Sequence, residues 1–313
     1  MSGYIADFFG YRAEDTSNTA LHQAASKICP VLGTVCTKLL GRDGEVSGAC
    51  AIRQVTAGSP DIICCPIRLY ADEYKLLHII SERAFGVKLP LFAGRSAVDA
   101  AKRVGGAIAV FGHGWGGELP LPQRSGSGSY SVDWVLARLD AAGQLVEISA
   151  IEVQTIDTTG NYRDSRTALL ANRGMVKSTV GMNWENVAKR ILPQIIYKGQ
   201  VLQRESLCRS GLFFVCPQPV FDRVIARLGG KGNLPRFPSG QPGTVHFFSY
   251  DYDPSAIPED GVMRPLAFRE EYCTAIHKVQ EAFSNITLPE NDIYKTAVER
   301  ALFGDVSYYY QSL

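Results

Sequence analysis

Three polar residues in the otherwise apolar segment 132–155 could together bind a divalent cation. Asp133 opens the first of two predicted strands, and Glu152 and Gln154 lie near the end of the second, with Val153 between them. Residues two apart on a strand point to the same side of the sheet, so Glu152 and Gln154 share a face. Burying an unpaired carboxylate is costly. The pattern therefore predicts that these groups face water or lie against something cationic.

The chemistry expected of this set is Mg²⁺-dependent hydrolysis of phosphodiesters. Mg²⁺ prefers oxygen ligands and keeps several waters, so Asp133, Glu152 and the backbone carbonyl of Val153 would suffice to bind it. Such a metal lowers the pKa of the attacking water and stabilises charge on the phosphate. Gln154 would point back toward the site and orient that water. The alternative is a pair of solvent-facing strand acids, which the spacing alone favours.

The surroundings of the hairpin favour nucleic-acid chemistry. Residues 161–177 carry four basic side chains against one acidic side chain, a net charge of +3, directly after the second strand. Within this stretch, Arg163 and Arg166 could pair with guanine and Asn161 with adenine. The same three side chains could instead contact only phosphates. Double-stranded DNA is therefore the expected partner.

Five of the eight cysteines lie between residues 29 and 65: Cys29, Cys36, Cys50, Cys64 and Cys65. In a reducing compartment such a set more often binds metal than forms disulfides. Residues 28–70 show little apolar periodicity, and a bound metal could supply the stability that packing does not. Four thiolates suit iron or zinc equally well. The alternative is a set of buried, unreactive thiols.

The elements that must position these residues predict an α/β fold. The 313 residues, 46% of them hydrophobic, allow one elaborated domain with a small appendage. We expect an N-terminal extension over residues 1–71 and a catalytic domain over 72–313. A helix at 72–85, the hairpin, a helical pattern at 184–205 and a buried strand at 211–216 predict a central mixed sheet flanked by helices.

Charge and hydropathy narrow the setting of the protein. The net charge of +1 excludes a strongly basic surface, although a local patch could still bind DNA. The sequence has no apolar run of 18 residues, and its first residues lack the pattern of a secretory signal. We therefore expect a cytoplasmic protein that does not interact with membranes.

Several motifs together carry a family resemblance. They are Asp133 followed by E-V-Q at 152–154 in place of E-x-K, C-P at 29–30, C-C-P-I-R at 64–68, and the segment NWENVAKRILPQIIYKGQVL at 183–202. Over roughly residues 25–220 the chain resembles the NotI family of Type II restriction endonucleases, in the PD-(D/E)xK superfamily. The resemblance implies a PD-(D/E)xK nuclease core preceded by a small N-terminal four-cysteine metal-binding segment.

The resemblance also implies an activity and partners. A member of this family would be a homodimer that cleaves double-stranded DNA at a specific, GC-rich palindrome, protected by a cognate DNA methyltransferase. Gln154, where most relatives have lysine, leaves the general base open. Many enzymes of this fold add an acid from a preceding helix, for which Glu82 is the first candidate and Glu118 the second.

The four-cysteine site implied by the resemblance assigns one iron, or zinc, to Cys29, Cys36, Cys50 and Cys65. Cys65 is preferred because a Cys-Pro pair occurs both at 29–30 and at 65–66, and Cys64 is its rival. Two other functions remain open. One is a metal-stabilised, sequence-specific DNA-binding protein without nuclease activity. The other is a repair nuclease of the same fold that recognises DNA structure.

Overall fold

The computed structural model describes residues 2–41, 44–119, 131–285 and 291–304. The N-terminal elements are β1 (Gly3–Phe8), β2 (Tyr11–Arg12), α1 (Asn18–Ser26), β3 (Ile28–Cys29), β4 (Thr34–Val35), β5 (Leu39–Leu40), β6 (Glu45–Val46), β7 (Ala49–Gln54) and β8 (Asp61–Ile63). Strands β2, β1, β7 and β8 form one antiparallel sheet in that order, and β3–β4 and β5–β6 form separate short ladders.

The remaining elements follow a 3₁₀-helix at Pro66–Tyr70. They are α2 (Ala71–Phe85), β9 (Leu91–Ala93), α3 (Ser96–Val104), β10 (Ala107–Gly112), β11 (Trp134–Leu139), β12 (Leu145–Val153), β13 (Thr158–Thr159), α4 (Arg163–Asn172), β14 (Gly181–Met182), α5 (Leu192–Leu202), β15 (Leu212–Pro217), α6 (Gln218–Arg227), β16 (Thr244–Tyr252), β17 (Leu266–Ala275), α7 (Ile276–Ser284) and α8 (Ile293–Phe303). A π-helical turn at Val187–Ile191 leads into α5, and a second 3₁₀-helix lies at Lys231–Asn233.

A seven-stranded mixed sheet forms the centre of the fold, in the order β17-β16-β15-β12-β11-β10-β9. Strands β10, β11 and β12 are antiparallel neighbours, whereas β15 runs parallel to β12 and β16 runs parallel to β15. The prediction of an α/β fold with a central mixed sheet and flanking helices is confirmed.

The two faces of β12 pack against different helices because its side chains alternate. Ile151 and Val153 lie in the core that the sheet forms with α2, whereas Ala150 belongs to the core that contains residues of α5, α6 and α7. The residue between Ile151 and Val153 shares the face of Ala150. Glu152 is therefore directed toward α5.

The N-terminal segment is not packed as a separate unit. Ile5 and Phe8 of β1 and Ile52 of β7 belong to the same continuous apolar cluster as Leu169 of α4 and Phe214 of β15. The predicted division at residues 71 and 72 therefore cuts through a shared core. None of the helices within the described ranges is long and apolar enough to cross a membrane.

Candidate active site

Asp133 and Glu152 lie opposite one another where β11 begins and β12 ends. The ladder pairs Trp134 with Ile151 and Val135 with Ala150, so the next pair in this register is Asp133 with Glu152. Oδ2 of Asp133 accepts the backbone N–H of Val153 at 2.7 Å. This bond holds the Asp133 carboxylate against the end of β12, beside Glu152.

The pKa values of both carboxyl groups are raised. Burial and the negative charge of Asp133 raise the pKa of Glu152 to about 7. Burial also raises the pKa of Asp133, and the carboxylate of Glu118 adds to this effect. Both shifts arise because desolvation and a like charge disfavour the ionised form.

Among the described residues, one oxygen of this pair has no hydrogen-bond partner. Oε2 of Glu152 is buried, and within the described part of the chain nothing donates to it. A buried carboxylate oxygen in that condition is costly unless a cation or another donor satisfies it. The oxygen donors of Asp133 and Glu152 are of the type that Mg²⁺ prefers, and the orphaned oxygen therefore fits a Mg²⁺ site.

Lys198 completes this cluster, and it was missed by reasoning from the sequence. Its Nζ lies 2.6 Å from Oε1 of Glu152, and both side chains are largely buried. The positive charge of Lys198 opposes the rise in the pKa of both Glu152 and Asp133. The available signal was its position in α5, where Ile195 and Leu202 are buried one turn away on either side. A lysine within a buried helical stripe indicates a buried partner.

Gln154 lies on the same side of β12 as Glu152, but its amide is bonded to the backbone. Its Nε2 donates to the carbonyl oxygen of Thr155 at 3.0 Å, and its backbone N–H donates to Val215 of β15 at 2.9 Å. The proposed orientation of water by Gln154 would require its side chain to leave Thr155.

Of the two candidate helper acids, the structure brings Glu118 rather than Glu82 to the pair. Glu118 and Asp133 line one cleft of about 270 Å³, together with His113 and Tyr74. Glu82 does not line this cleft, because α2 turns its apolar residues to the sheet and leaves Glu82 exposed, in an ion pair with Lys88 at 3.6 Å. The structure thus places Glu118, and not Glu82, in the cleft with Asp133, and the catalytic role of either acid stays a prediction.

A glycine at the end of β10 makes room for the aromatic wall of the cleft. A Cβ atom on Gly112 would lie 2.1 Å from Cε3 of Trp134, which is far inside contact distance. Trp134 directly follows Asp133, and its ring makes edge-to-face contacts with Tyr70 and Tyr74 at centroid distances of 5.4 and 5.5 Å. The absence of a side chain at Gly112 thus helps to fix the position of Asp133.

The four predicted cysteine ligands surround one small cavity. Cys29, Cys36, Cys50 and Cys65 all line a space of about 10 Å³, whereas Cys64 does not. Cys64 instead packs in the main apolar core, and its Sγ accepts a hydrogen bond from Nζ of Lys38 at 3.2 Å. The structure therefore places Cys65, and not its rival Cys64, at this cavity. Among the residues described, no three His, Cys, Asp or Glu side chains are arranged to hold a metal ion.

Backbone amides point at each of these four sulfurs. Cys29 accepts hydrogen bonds from the backbone N–H groups of residues 31 and 32, and Cys36 from those of residues 38 and 48. Cys65 accepts from the N–H groups of residues 67 and 68, and Cys50 from that of residue 10. A hydrogen bond from the Cys50 thiol, with these backbone bonds, lowers the pKa of Cys65 to about 6. Burial raises the pKa of the other three thiols, and for Cys50 its bond to Cys65 raises the pKa further. N–H donors of this kind favour the thiolate form of a cysteine over the thiol.

The residues predicted to contact DNA differ in their exposure in the structure. Arg166 is buried: its Nε donates to the carbonyl of Val46 at 2.7 Å and its Nη1 to Oε1 of Glu45 at 2.5 Å. Because these bonds fix it inside the protein, Arg166 is not placed to contact DNA, and that prediction is corrected. Arg163 is partly exposed and lies 3.4 Å from Glu45, and the exposed Asn161 accepts the Arg163 backbone N–H at the start of α4.

Comparison with protein-family models and with the sequences of curated proteins yields no match for this chain.

Proposed function

We propose that this protein is a Type II restriction endonuclease that cleaves double-stranded DNA by Mg²⁺-dependent hydrolysis. The observation that carries the proposal is the pair formed by Asp133 and Glu152, which face one another at the ends of adjacent strands. The two acids lie on neighbouring strands of a central mixed sheet, as the PD-(D/E)xK arrangement requires. Oε2 of Glu152, which is buried and accepts no hydrogen bond from the residues that the structure describes, supports a cation at this place.

The roles of the residues follow from the site. Asp133 and Glu152, with the carbonyl of Val153, would hold Mg²⁺, which lowers the pKa of a bound water and stabilises charge on the phosphate. Glu118 shares the cleft with Asp133 and adds a third carboxylate at its rim. Arg163 and Asn161, at the exposed start of α4, would contact DNA on its phosphates or base edges.

A second metal, iron or zinc, would be bound by the sulfurs of Cys29, Cys36, Cys50 and Cys65. Support comes from the shared cavity and from the backbone N–H groups directed at each sulfur. The role of this metal would be structural. Pro66 and Ile67, which directly follow Cys65, also line the cleft that contains Asp133. The metal would therefore hold one wall of the active site in place.

The biological setting rests on the family resemblance. A cytoplasmic homodimer, a GC-rich palindromic target and a cognate DNA methyltransferase are all part of this proposal. The two-fold symmetry of a palindrome matches that of a dimer, since each subunit would cut one strand.

The test is cleavage of phage DNA by the purified protein in Mg²⁺. We expect discrete fragments from the wild type, and none from the variants Asp133→Ala and Glu152→Ala, which lose a metal ligand but keep the rest of the DNA-binding surface. Both variants should still bind DNA in a gel-shift assay. Asp99→Ala is the matched control, because Asp99 is an exposed acid of α3 outside the site and its loss should leave the fragment pattern unchanged.

Other outcomes of this assay would favour the rival functions. Binding of DNA without cleavage in Mg²⁺ or Mn²⁺ would indicate a DNA-binding protein. Cleavage of flap or mismatched duplexes, with no discrete fragments from phage DNA, would indicate a structure-specific nuclease.

A further inference from the structure

A buried lysine from α5 stands beside the two carboxylates of the proposed active site. The Nζ of Lys198 lies 2.6 Å from Oε1 of Glu152, and the side chain of Lys198 is 14% exposed. Its charge also acts on Asp133, whose pKa it lowers against the effect of burial. The ammonium group is thus close to both acids that would bind the metal.

Stability alone does not account for this lysine. The desolvation of a buried ion pair offsets most of its attraction, and a well-packed apolar pair is often as stable or more stable. The neighbouring positions of the α5 stripe are apolar, and Ile195 and Leu202 are both buried. A leucine or methionine at 198 would continue that stripe, so the lysine points to a role in the site.

The strand itself does not supply a positive charge to the site. Position 154, where the E-x-K pattern has lysine, carries glutamine, and its Nε2 is bonded to the carbonyl of Thr155. An amide also lacks the charge that would stabilise a phosphate in the transition state. The function of the missing lysine must then be met from another element.

We propose that Lys198 is the catalytic cation of this enzyme and takes the place of the lysine absent at position 154. This inference rests on the proposed nuclease function. An ammonium group has three hydrogen-bond donors. One holds Oε1 of Glu152, and the others are available to a non-bridging oxygen of the scissile phosphate and to the attacking water.

Lys198 acts by its charge and by hydrogen bonding, and it takes no part in proton transfer. The water oxygen forms a bond to phosphorus and loses a proton to solvent, the bond from phosphorus to the leaving sugar oxygen breaks, and that oxygen takes up a proton. Negative charge grows on the phosphate oxygens as the new bond forms. A fixed ammonium group next to them stabilises this charge more in the transition state than in the ground state.

The position of the side chain gives it room for this task. Lys198 lines a large apolar cavity of about 580 Å³ that also borders Ser131 and Val132, the two residues before Asp133. The lysine therefore lies between this cavity and the carboxylate pair. The cavity leaves open space beside the long stem of this side chain.

The experiment compares single-turnover cleavage of DNA by Lys198→Met with that by Lys189→Met. Lys189 lies in the preceding π-helical turn, is 71% exposed and pairs with Glu185, so its loss should not change the rate. Removing one transition-state donor typically costs about 10²- to 10³-fold in rate, and we expect a loss of that order for Lys198→Met. DNA affinity in Ca²⁺ should change by less than about threefold, since the lysine acts mainly in the transition state.

Rescue separates a catalytic from a structural role. Adding Gln154→Lys to Lys198→Met returns an ammonium group to the strand, and we expect it to restore the rate at least about tenfold, a change of roughly 1.4 kcal/mol. If Lys198 were needed only to neutralise Glu152 during folding, its loss would change the melting temperature. In that case Gln154→Lys would not restore the cleavage rate of a folded Lys198→Met variant. If Lys198→Met does not fold, Lys198→Arg replaces it, because arginine keeps a positive charge beside Glu152. We then expect a slower reaction with little change in melting temperature.

The outcomes distinguish this inference from the proposed function. The role of Lys198 is overturned, and the nuclease proposal stands, if the wild type cleaves DNA and Lys198→Met cleaves it at the same rate. The same holds for Lys198→Arg where that variant is used. A folded Lys198→Met variant that Gln154→Lys does not rescue overturns it as well. If the wild type cuts no DNA in Mg²⁺ or Mn²⁺, the nuclease proposal fails and the role of Lys198 fails with it.

Discussion

Replacing Arg166 by methionine is expected to weaken the fold of the protein and to leave the proposed binding of DNA unchanged. The guanidinium of Arg166 is 3% exposed, whereas Glu45, its ion-pair partner, is 40% exposed. Its single Nε hydrogen is shared between the carbonyls of Val46 at 2.7 Å and Ser47 at 3.2 Å. These bonds join α4 to the segment that begins with β6.

The size of the effect follows from those bonds. A hydrogen bond from a charged donor contributes about 1.5–3 kcal/mol. The partly exposed pair with Glu45 adds at most about 1 kcal/mol, because solvent screens the exposed carboxylate. Methionine retains much of the apolar packing, so the expected loss is about 2–4 kcal/mol. With an unfolding entropy of about 2.1 cal/mol/K per residue, a loss of about 3 kcal/mol lowers the melting temperature by roughly 5 °C.

The assay pairs thermal unfolding with DNA binding, and Arg163→Met is the matched control on the same helix. Arg163 is 40% exposed and lies 3.4 Å from the same glutamate, so the loss of this ion pair should cost about 0.5 kcal/mol. If Arg163 contacts a phosphate, its removal should reduce the slope of log affinity against log salt by about 1. A normal melting temperature combined with weakened DNA binding for Arg166→Met would refute the assignment of Arg166 to the interior.

Three further experiments test the site itself. Cys65→Ser should lower the iron or zinc bound per chain well below one equivalent, while Cys64→Ser should retain the metal. Elemental analysis of both variants measures this metal content. Loss of metal from Cys64→Ser alone would reverse the assignment. Glu118→Gln should slow DNA cleavage in a single-turnover assay, whereas Glu82→Gln should cut at the wild-type rate, and the opposite result would return the helper acid to α2. Gly112→Ala should lower both melting temperature and cleavage, by about 1–3 kcal/mol in stability, because its methyl group overlaps the adjacent indole ring; unchanged melting and cutting would show that the ring is free to move.

The hairpin and its acids were predictable because the information is local. Alternation along 132–155 defines two strands, and the spacing of Glu152 and Gln154 places them on one face of the second strand. The same local logic predicted the helix that the structure has as α2 and the buried strand β15. In each case the residues that decide the element are neighbours in the sequence.

The residues that the sequence misplaced depend on contacts between distant segments. Lys198 meets Glu152 only because α5 crosses the face of β12, and nothing near position 152 predicts that partner. Arg166 appears basic and accessible in a polar stretch, yet the chain more than 100 residues earlier folds over it. Glu82 lies on a helix of the expected position, but the phase of that helix turns it away from Asp133.

The wall shared by the cysteine turn and the cleft connects residues on both sides of the division predicted at residue 71. Pro66 and Ile67 contribute to the cleft of Asp133 from the N-terminal side of that boundary, while Cys65 faces the sulfur-lined cavity next to them. A change in the Cys65 turn would therefore move the wall of the cleft directly, since only one residue separates Cys65 from Ile67. An N-terminal segment that merely attached the protein to DNA would not need this contact. We therefore expect this segment to form part of the proposed active site, and a metal held there would act on catalysis through the position of these two side chains.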